Sequence, residues 1–184
     1  SGFARALVQA GRLKESEAES LLAQAASRKT TLIEEVVAAR RASFIELARF
    51  AADKFGYPLL DLAAFDDAHI QKNAIDRKLI ATHRVVPLHK RGNRLAVAIA
   101  DPTNLRALDE IRFQTGLAVD PVIVEENKLT PLVTRLSEST EETLRSLASE
   151  DINLEFTDEQ ATEKADDAAA LEVDDAPVVR FIQK

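Results

Sequence analysis

The sequence predicts an α+β protein: an N-terminal four-helix repeat bundle, then a small strand–strand–helix–strand–helix α/β sandwich, then an acidic disordered tail. Three observations predict it. Apolar residues recur at helical spacing in four runs within the first 56 residues, with Gly or Ser–Glu capping pairs at several of their ends. Residues 84–125 hold strand-like runs with a two-residue alternation around a Gly-containing turn. From Ser137 onward periodicity is lost, and residues 137–177 hold 14 acidic against 2 basic side chains, a composition that buries too little apolar surface to fold. The expected divisions are a bundle of two helix pairs over 1–57, the α/β module over 58–137, an acidic linker over 138–177 and the start of a further domain at 178–184.

Taken in order, the first helix is expected from Phe3 to Ala10, with Phe3, Leu7 and Val8 on one face and Gly11 as the left-handed stop. Ser16 and Glu19 have capping-box spacing and are expected to open a second helix buried through Ala18, Leu21, Leu22 and Ala25. A third helix, Thr31 to about Arg40, carries Leu32, Ile33, Val36 and Val37. Ser43 and Glu46 form another capping box, and the fourth helix runs to Phe55 with Gly56 as its stop. Phe3, Leu7, Val8 and Gly11 align with Leu32, Val36, Val37 and Arg40 at an offset of 29, which marks an internal repeat of two helix pairs.

Tyr57-Pro58 breaks the helix and Leu59–Asp61 is a candidate extended piece. A helix capped by Asn73 is expected through Ala81. Arg84–Leu88 and Arg94–Ala100 then read as a hairpin turning at Arg91-Gly92-Asn93. Asp101-Pro102 opens a helix to Gln114 with Leu105, Leu108, Ile111 and Phe113 as its apolar residues; Leu117–Glu125 is the third strand and Leu129–Leu136 the last helix.

Composition excludes several classes. The chain has no Cys, hence no disulfide framework, thiolate zinc site or cysteine nucleophile. No apolar run approaches the roughly 20 residues that span a bilayer. Residues 1–136 carry 20 basic and 17 acidic side chains, too weak an excess for nucleic-acid binding. A phosphate loop and a Gly-x-Ser-x-Gly elbow are both missing. The absence of Met and the apolar run Val178–Ile182 predict a segment of a longer chain.

Among candidate sites, Asp66, Asp67 and His69 have weak ligand spacing and read better as loop caps, so no metal is expected. His83 and His89 flank a strand with no tuning partner nearby in sequence. Lys90, Arg91 and Arg94 form a basic hairpin tip, either a solvated turn or a site for an acidic partner, the chain's own acidic tail included. Leu7, Val8, Leu22, Val37 and Phe50 are candidate partner-binding residues, because four short amphipathic helices need not bury every stripe. Ordinary core packing is the competing reading for each.

The helix pairs ending in Phe55-Gly56-Tyr57-Pro58, the segment His83-Arg84-Val85-Val86-Pro87-Leu88, the segment Ala98-Ile99-Ala100-Asp101-Pro102 and the run Phe113-Gln114-Thr115-Gly116 together resemble the N-terminal region of type IV pilus assembly ATPases of the type II secretion ATPase superfamily. The tail Asp175–Ile182 resembles the junction to that family's catalytic half. The resemblance implies a cytoplasmic homohexameric motor, peripheral to the inner membrane, whose ATP and Mg sites lie outside these residues. It implies a non-catalytic docking region here, with a PilZ-type adaptor protein or an inner-membrane platform protein as partner and no cofactor of its own. It also raises the alternative of a cyclic di-GMP sensor, since relatives bind that nucleotide through two tandem motifs. Here the motif's Arg positions hold Gly2 and Thr31, its first Gly positions Ala4 and Ile33, its central Gly positions Gly11 and Arg40, and its closing Gln positions Ala25 and Lys54, with Gln24 one residue away. Losing both Arg removes the bidentate donors that would meet phosphate and guanine.

Overall fold

Three capping pairs and four left-handed residues fix the helical half of the chain. The computed structural model describes residues 1–138. The acidic linker beyond Glu138 and the expected domain start at 178–184 lie outside the described residues. Helix α1 spans Gly2–Gln9, α2 Glu15–Arg28, α3 Leu32–Ala38 and α4 Phe44–Phe55. The Ser43–Glu46 box opens α4 as expected, with the Ser43 N–H donating to Glu46 at 2.7 Å. A further box opens α3: Thr31 accepts from the Glu34 N–H at 3.2 Å and Glu34 accepts from the Thr31 N–H at 3.0 Å.

The expected start of α2 at Ser16 is corrected. The helix begins two residues earlier, where the Lys14 N–H donates to Glu17 at 3.1 Å. Lys14 has no acceptor to cap with, so Glu17 supplies the single side-chain bond at that end. The start stands at the repeat offset from Ser43–Glu46.

The repeat holds in the backbone. Gly11 has φ 70° and Arg40 φ 56°. In both turns the left-handed residue donates to the carbonyl three back, Gly11 to Val8 and Arg40 to Val37, and the next residue donates five back, Arg12 to Leu7 and Arg41 to Val36. The second helix of each pair also closes on a left-handed residue, Lys29 and Gly56. The pattern survives although Gly is present in only one of the two central turns.

Beyond α4, Leu59 bridges Ile123, and Leu60 donates to the Ile123 carbonyl at 2.8 Å. Two short 3₁₀ turns follow, Leu62–Ala64 and Asp67–His69. Helix α5 spans Arg77–His83 and is capped by Asp76, not Asn73. Strands β1 (Val86–Arg91), β2 (Arg94–Ile99) and β3 (Ala118–Ile123) form a mixed sheet in the order β1-β2-β3. β1 and β2 pair antiparallel, and β2 and β3 parallel. Between β2 and β3 runs α6, Leu105–Thr115, and after β3 comes α7, Glu126–Ser137. The expected start of α6 at Pro102 is corrected to Leu105. Asp101 is spent on a tight turn, accepting from both the N–H and the hydroxyl of Thr103, so Asn104 becomes the cap.

The described residues are therefore a mixed α+β fold of seven α-helices and three strands. β2 is buried from Leu95 to Ile99, as a central strand covered on both faces must be. One apolar cluster joins Phe3, Leu7, Ile33 and Leu47 of the helices to Ile80, Val97, Ile111 and Leu129 of the α/β part.

The two copies of the central turn predict opposite responses to substitution. An added Cβ at Gly11 meets nothing within 4 Å, so Gly11→Ala should cost only the left-handed penalty of about 1 kcal/mol. Arg40→Gly should relieve the same strain and raise stability by about 0.5–1 kcal/mol. Urea midpoints of the two variants measure both signs.

Candidate functional site

Where the helical repeats meet the α/β half, a cavity of about 170 Å³ gathers polar groups from four segments. α7 delivers Glu126 at its first residue, and the residue is only 4% exposed. The N-cap of α3 delivers Thr31, whose hydroxyl donates to Glu126 at 2.7 Å. The left-handed C-cap of α5 delivers Arg84, φ 52°. One terminal nitrogen of that guanidinium lies 3.4 Å from both Glu126 and Glu34 and donates to the Thr130 hydroxyl at 2.5 Å. Its Nε is buried without a hydrogen-bond partner. Burial pushes the Glu126 carboxyl up to about 7, against the opposing pull of the Thr31 hydroxyl and the Arg84 charge; Glu34 and Asp101 add to the upward push.

The starts of the two helix pairs both meet the α/β half, at different elements. Gly2 opens the first pair, and a Cβ there would stand 3.0 Å from the Thr103 side chain, held in the Asp101 turn. Thr31 opens the second pair and is bonded to Glu126. These are the two positions that the nucleotide motif fills with Arg. The first has no room for a side chain without displacing Thr103, and the second is engaged internally. Ile33, at the second motif's first Gly, is buried beside the same cavity.

The five candidate docking residues separate. Leu7 is 0% exposed and lies in the core, so the expectation that it meets a partner is corrected: no part of its own side chain reaches the surface. Val8, Leu22 and Val37 are half-buried and pack on the core. Phe50 is half-buried with an open side. Its ring lies 6.0 Å from Phe3 at 58°, and the Arg12 guanidinium sits over it at 5.1 Å. Glu46, Arg49, Asp53 and Lys54 line the shallow groove around them. Arg12 was not among the residues the sequence singled out; it reaches the ring only because the left-handed Gly11 turns the chain back over α4.

The remaining candidates are placed as follows. Lys90 and Arg91 are exposed at the hairpin tip, while Arg94 is held by Asp120 across the β2–β3 pair, Nε to carboxylate at 2.8 Å. Among the described residues no group of three potential ligands converges for a metal. Asp66 caps a 3₁₀ turn, Asp67 binds Arg135 at 2.6 Å and His69 is exposed. His83 has a partner after all, 27 residues away on α6: its Nε2 lies 2.6 Å from Glu110, and this contact, with Arg106, holds the Glu110 carboxyl below its usual range. His89 is exposed. On α6, Ala107, Leu108 and Ile111 face inward. Phe113 falls on the opposite side of the 3.6-residue repeat and is 93% exposed, and Leu105 is 60% exposed. No described helix is long and apolar enough to cross a membrane.

Residues 55–143 match the MshEN domain family. The fold is shared with the solved N-terminal domain of XpsE: a TM-score of 0.54 at 23% identity, covering 72% of this chain and 92% of that one. A structure of MshE with cdg gives 0.52 at 22% identity, covering 73% and 97%. These likenesses define the class, an MshEN-type N-terminal domain. Along its whole length the chain is also 40% identical to the type IV pilus assembly ATPase PilB of Pseudomonas aeruginosa, of which it spans 32%. The chain belongs to the family of PilB-type pilus assembly ATPase N-terminal domains.

The buried cluster sets a pH dependence of stability. Folded Glu126 holds its proton to about pH 7, against an ordinary value of 4.5. The stabilisation from its protonation is therefore complete below about 4.5 and lost as pH rises through about 7. Arg84→Met leaves two carboxylates facing each other and should cost about 2–3 kcal/mol at pH 8. The cost should be smaller at pH 5, where Glu126 is protonated. Urea unfolding at the two pH values checks both statements.

Proposed function

We propose that this region is the non-catalytic regulatory and docking domain of a type IV pilus assembly ATPase, and that it takes a protein partner on the face around Phe50. A PilZ-type adaptor or an inner-membrane platform protein fits that role. The full protein would be a homohexameric ATPase at the cytoplasmic face of the inner membrane, with its ATP and Mg chemistry in the catalytic half.

The observation that carries the reading is the half-buried Phe50 ring, which packs against Phe3 and has the Arg12 guanidinium over it. A partly covered aromatic with a guanidinium over it is an anchor of the kind that interfaces favour. The charges around it are mixed, two acidic and three basic counting Arg12, which suits a protein surface better than a polyanion.

The nucleotide reading has the paired backbone turns at Gly11 and Arg40 in its favour, together with the likeness to MshE, whose structure holds cdg. Against it stand Gly2 pressed on Thr103 and Thr31 bonded to Glu126. With neither Arg present, the charge-assisted bonds to phosphate are lost, each about 1.5–3 kcal/mol.

Phe50→Asp should weaken adaptor or platform binding at least tenfold with an unchanged circular dichroism spectrum, and Arg12→Glu should do so to a smaller degree. Full retention of binding by Phe50→Asp would move the interface elsewhere. Titration calorimetry with cyclic di-GMP should give no binding heat at micromolar nucleotide; a saturating isotherm would restore the sensor reading.

A further inference from the structure

The Glu126 cluster is built differently from an ordinary buried ion pair. Two carboxylates, Glu34 and Glu126, share one guanidinium nitrogen of Arg84, so the cluster carries one negative charge too many when both are ionised. Asp101, across the same cavity, adds to the excess. The neighbouring cation on α7, Lys128, is engaged by Asp61 at 2.8 Å and by Glu125 at 2.5 Å. His83, which also lines the cavity, is bonded to Glu110 on α6. Thr130, one turn along α7, donates its hydroxyl to the Glu126 carbonyl. Thr31 and Glu34 belong to α3, Arg84 to the end of α5 and Glu126 to α7, so the cluster is the polar seam between the second helix pair and the α/β half.

We propose that Glu126 is a proton-operated latch on this seam, fastening α3 to the α/β half when protonated and loosening it when ionised. The proton comes from solvent and resides on one carboxyl oxygen. In the protonated state Glu34 alone balances Arg84, and the carboxyl and the Thr31 hydroxyl remain within hydrogen-bond distance. Loss of the proton leaves a carboxylate that is poorly solvated in the cavity and repelled by Glu34. Parting of α3 from α7 lets water in and relieves both. The closed form takes up the proton more readily than an open, hydrated one, because burial holds the Glu126 carboxyl at about 7. By linkage, raising the pH from about 5 to 8 shifts the seam toward opening, with a ceiling on the order of a hundredfold. Because α3 carries half of the repeat, the device would let proton activity adjust how firmly the helical half is held.

Amide hydrogen exchange of the intact chain tests this, with rates corrected for the intrinsic effect of pH. Amides of α3 that bond within the helix or its cap, such as Glu35, should lose at least tenfold in protection between pH 5 and pH 8, while β2 from Leu95 to Ile99 changes far less. Glu126→Gln, uncharged and of the same shape, should abolish the pH dependence in α3. Glu34→Gln removes the neighbouring negative charge and should move the midpoint to lower pH. The latch is overturned if α3 protection does not change with pH in the wild type, if Glu126→Gln keeps the same dependence, or if β2 falls in step with α3. An unmoved midpoint in Glu34→Gln likewise overturns it.

Discussion

Helices of seven or eight residues do not persist in water, because nucleation costs more than so few hydrogen bonds return. α1, α3 and α5 are all of that length. They exist here because each lays an apolar stripe into one cluster shared with the sheet. The caps and left-handed turns serve that burial by setting where each stripe points. Thr31 illustrates the coupling, since the residue that starts α3 is also the one that ties it to Glu126. Local structure and long-range packing are decided at the same side chain.

Much of the helical half could be read from the chain because its signals are local. The Ser43–Glu46 box, Gly56 and the stripe through Leu47 and Ala51 act within a few residues of each other. The misplaced start of α2 had a local competitor, Ser16–Glu19, with ideal spacing. The repeat itself pointed to Lys14–Glu17, 29 residues before Ser43–Glu46. On α6 the apolar residues did not all share a face. Helical phase sends Phe113 outward once Ala107, Leu108 and Ile111 face in.

The polar seam was illegible for a physical reason. Thr31 and Glu126 are 95 residues apart, and Arg84 stands between them in sequence with no neighbour to mark it. A carboxylate at the first turn of a helix ordinarily reads as a solvated cap that complements the helix dipole. Only the packing of α3, α5 and α7 buries it. His83 is a similar case, paired with Glu110 through the approach of α5 to α6. The Phe50 face was partly legible: the ring could be placed on the flank of α4, but its guanidinium roof depends on the path of the chain beyond Gly11.

The duplicated turn has a consequence for how such a domain diversifies. Its identity resides in main-chain bonds that Gly11 and Arg40 both make, Arg40 at the cost of left-handed strain. Side chains on either copy can therefore change without erasing the scaffold, and the two have parted company. The first pair packs Gly2 tightly on Thr103 and, through Arg12, roofs the Phe50 ring; the second turns Thr31 inward to a buried acid. One main-chain turn, used twice, thus serves two different side-chain settings: an exposed guanidinium over an aromatic ring beside one copy and a hydroxyl bonded to a buried acid beside the other.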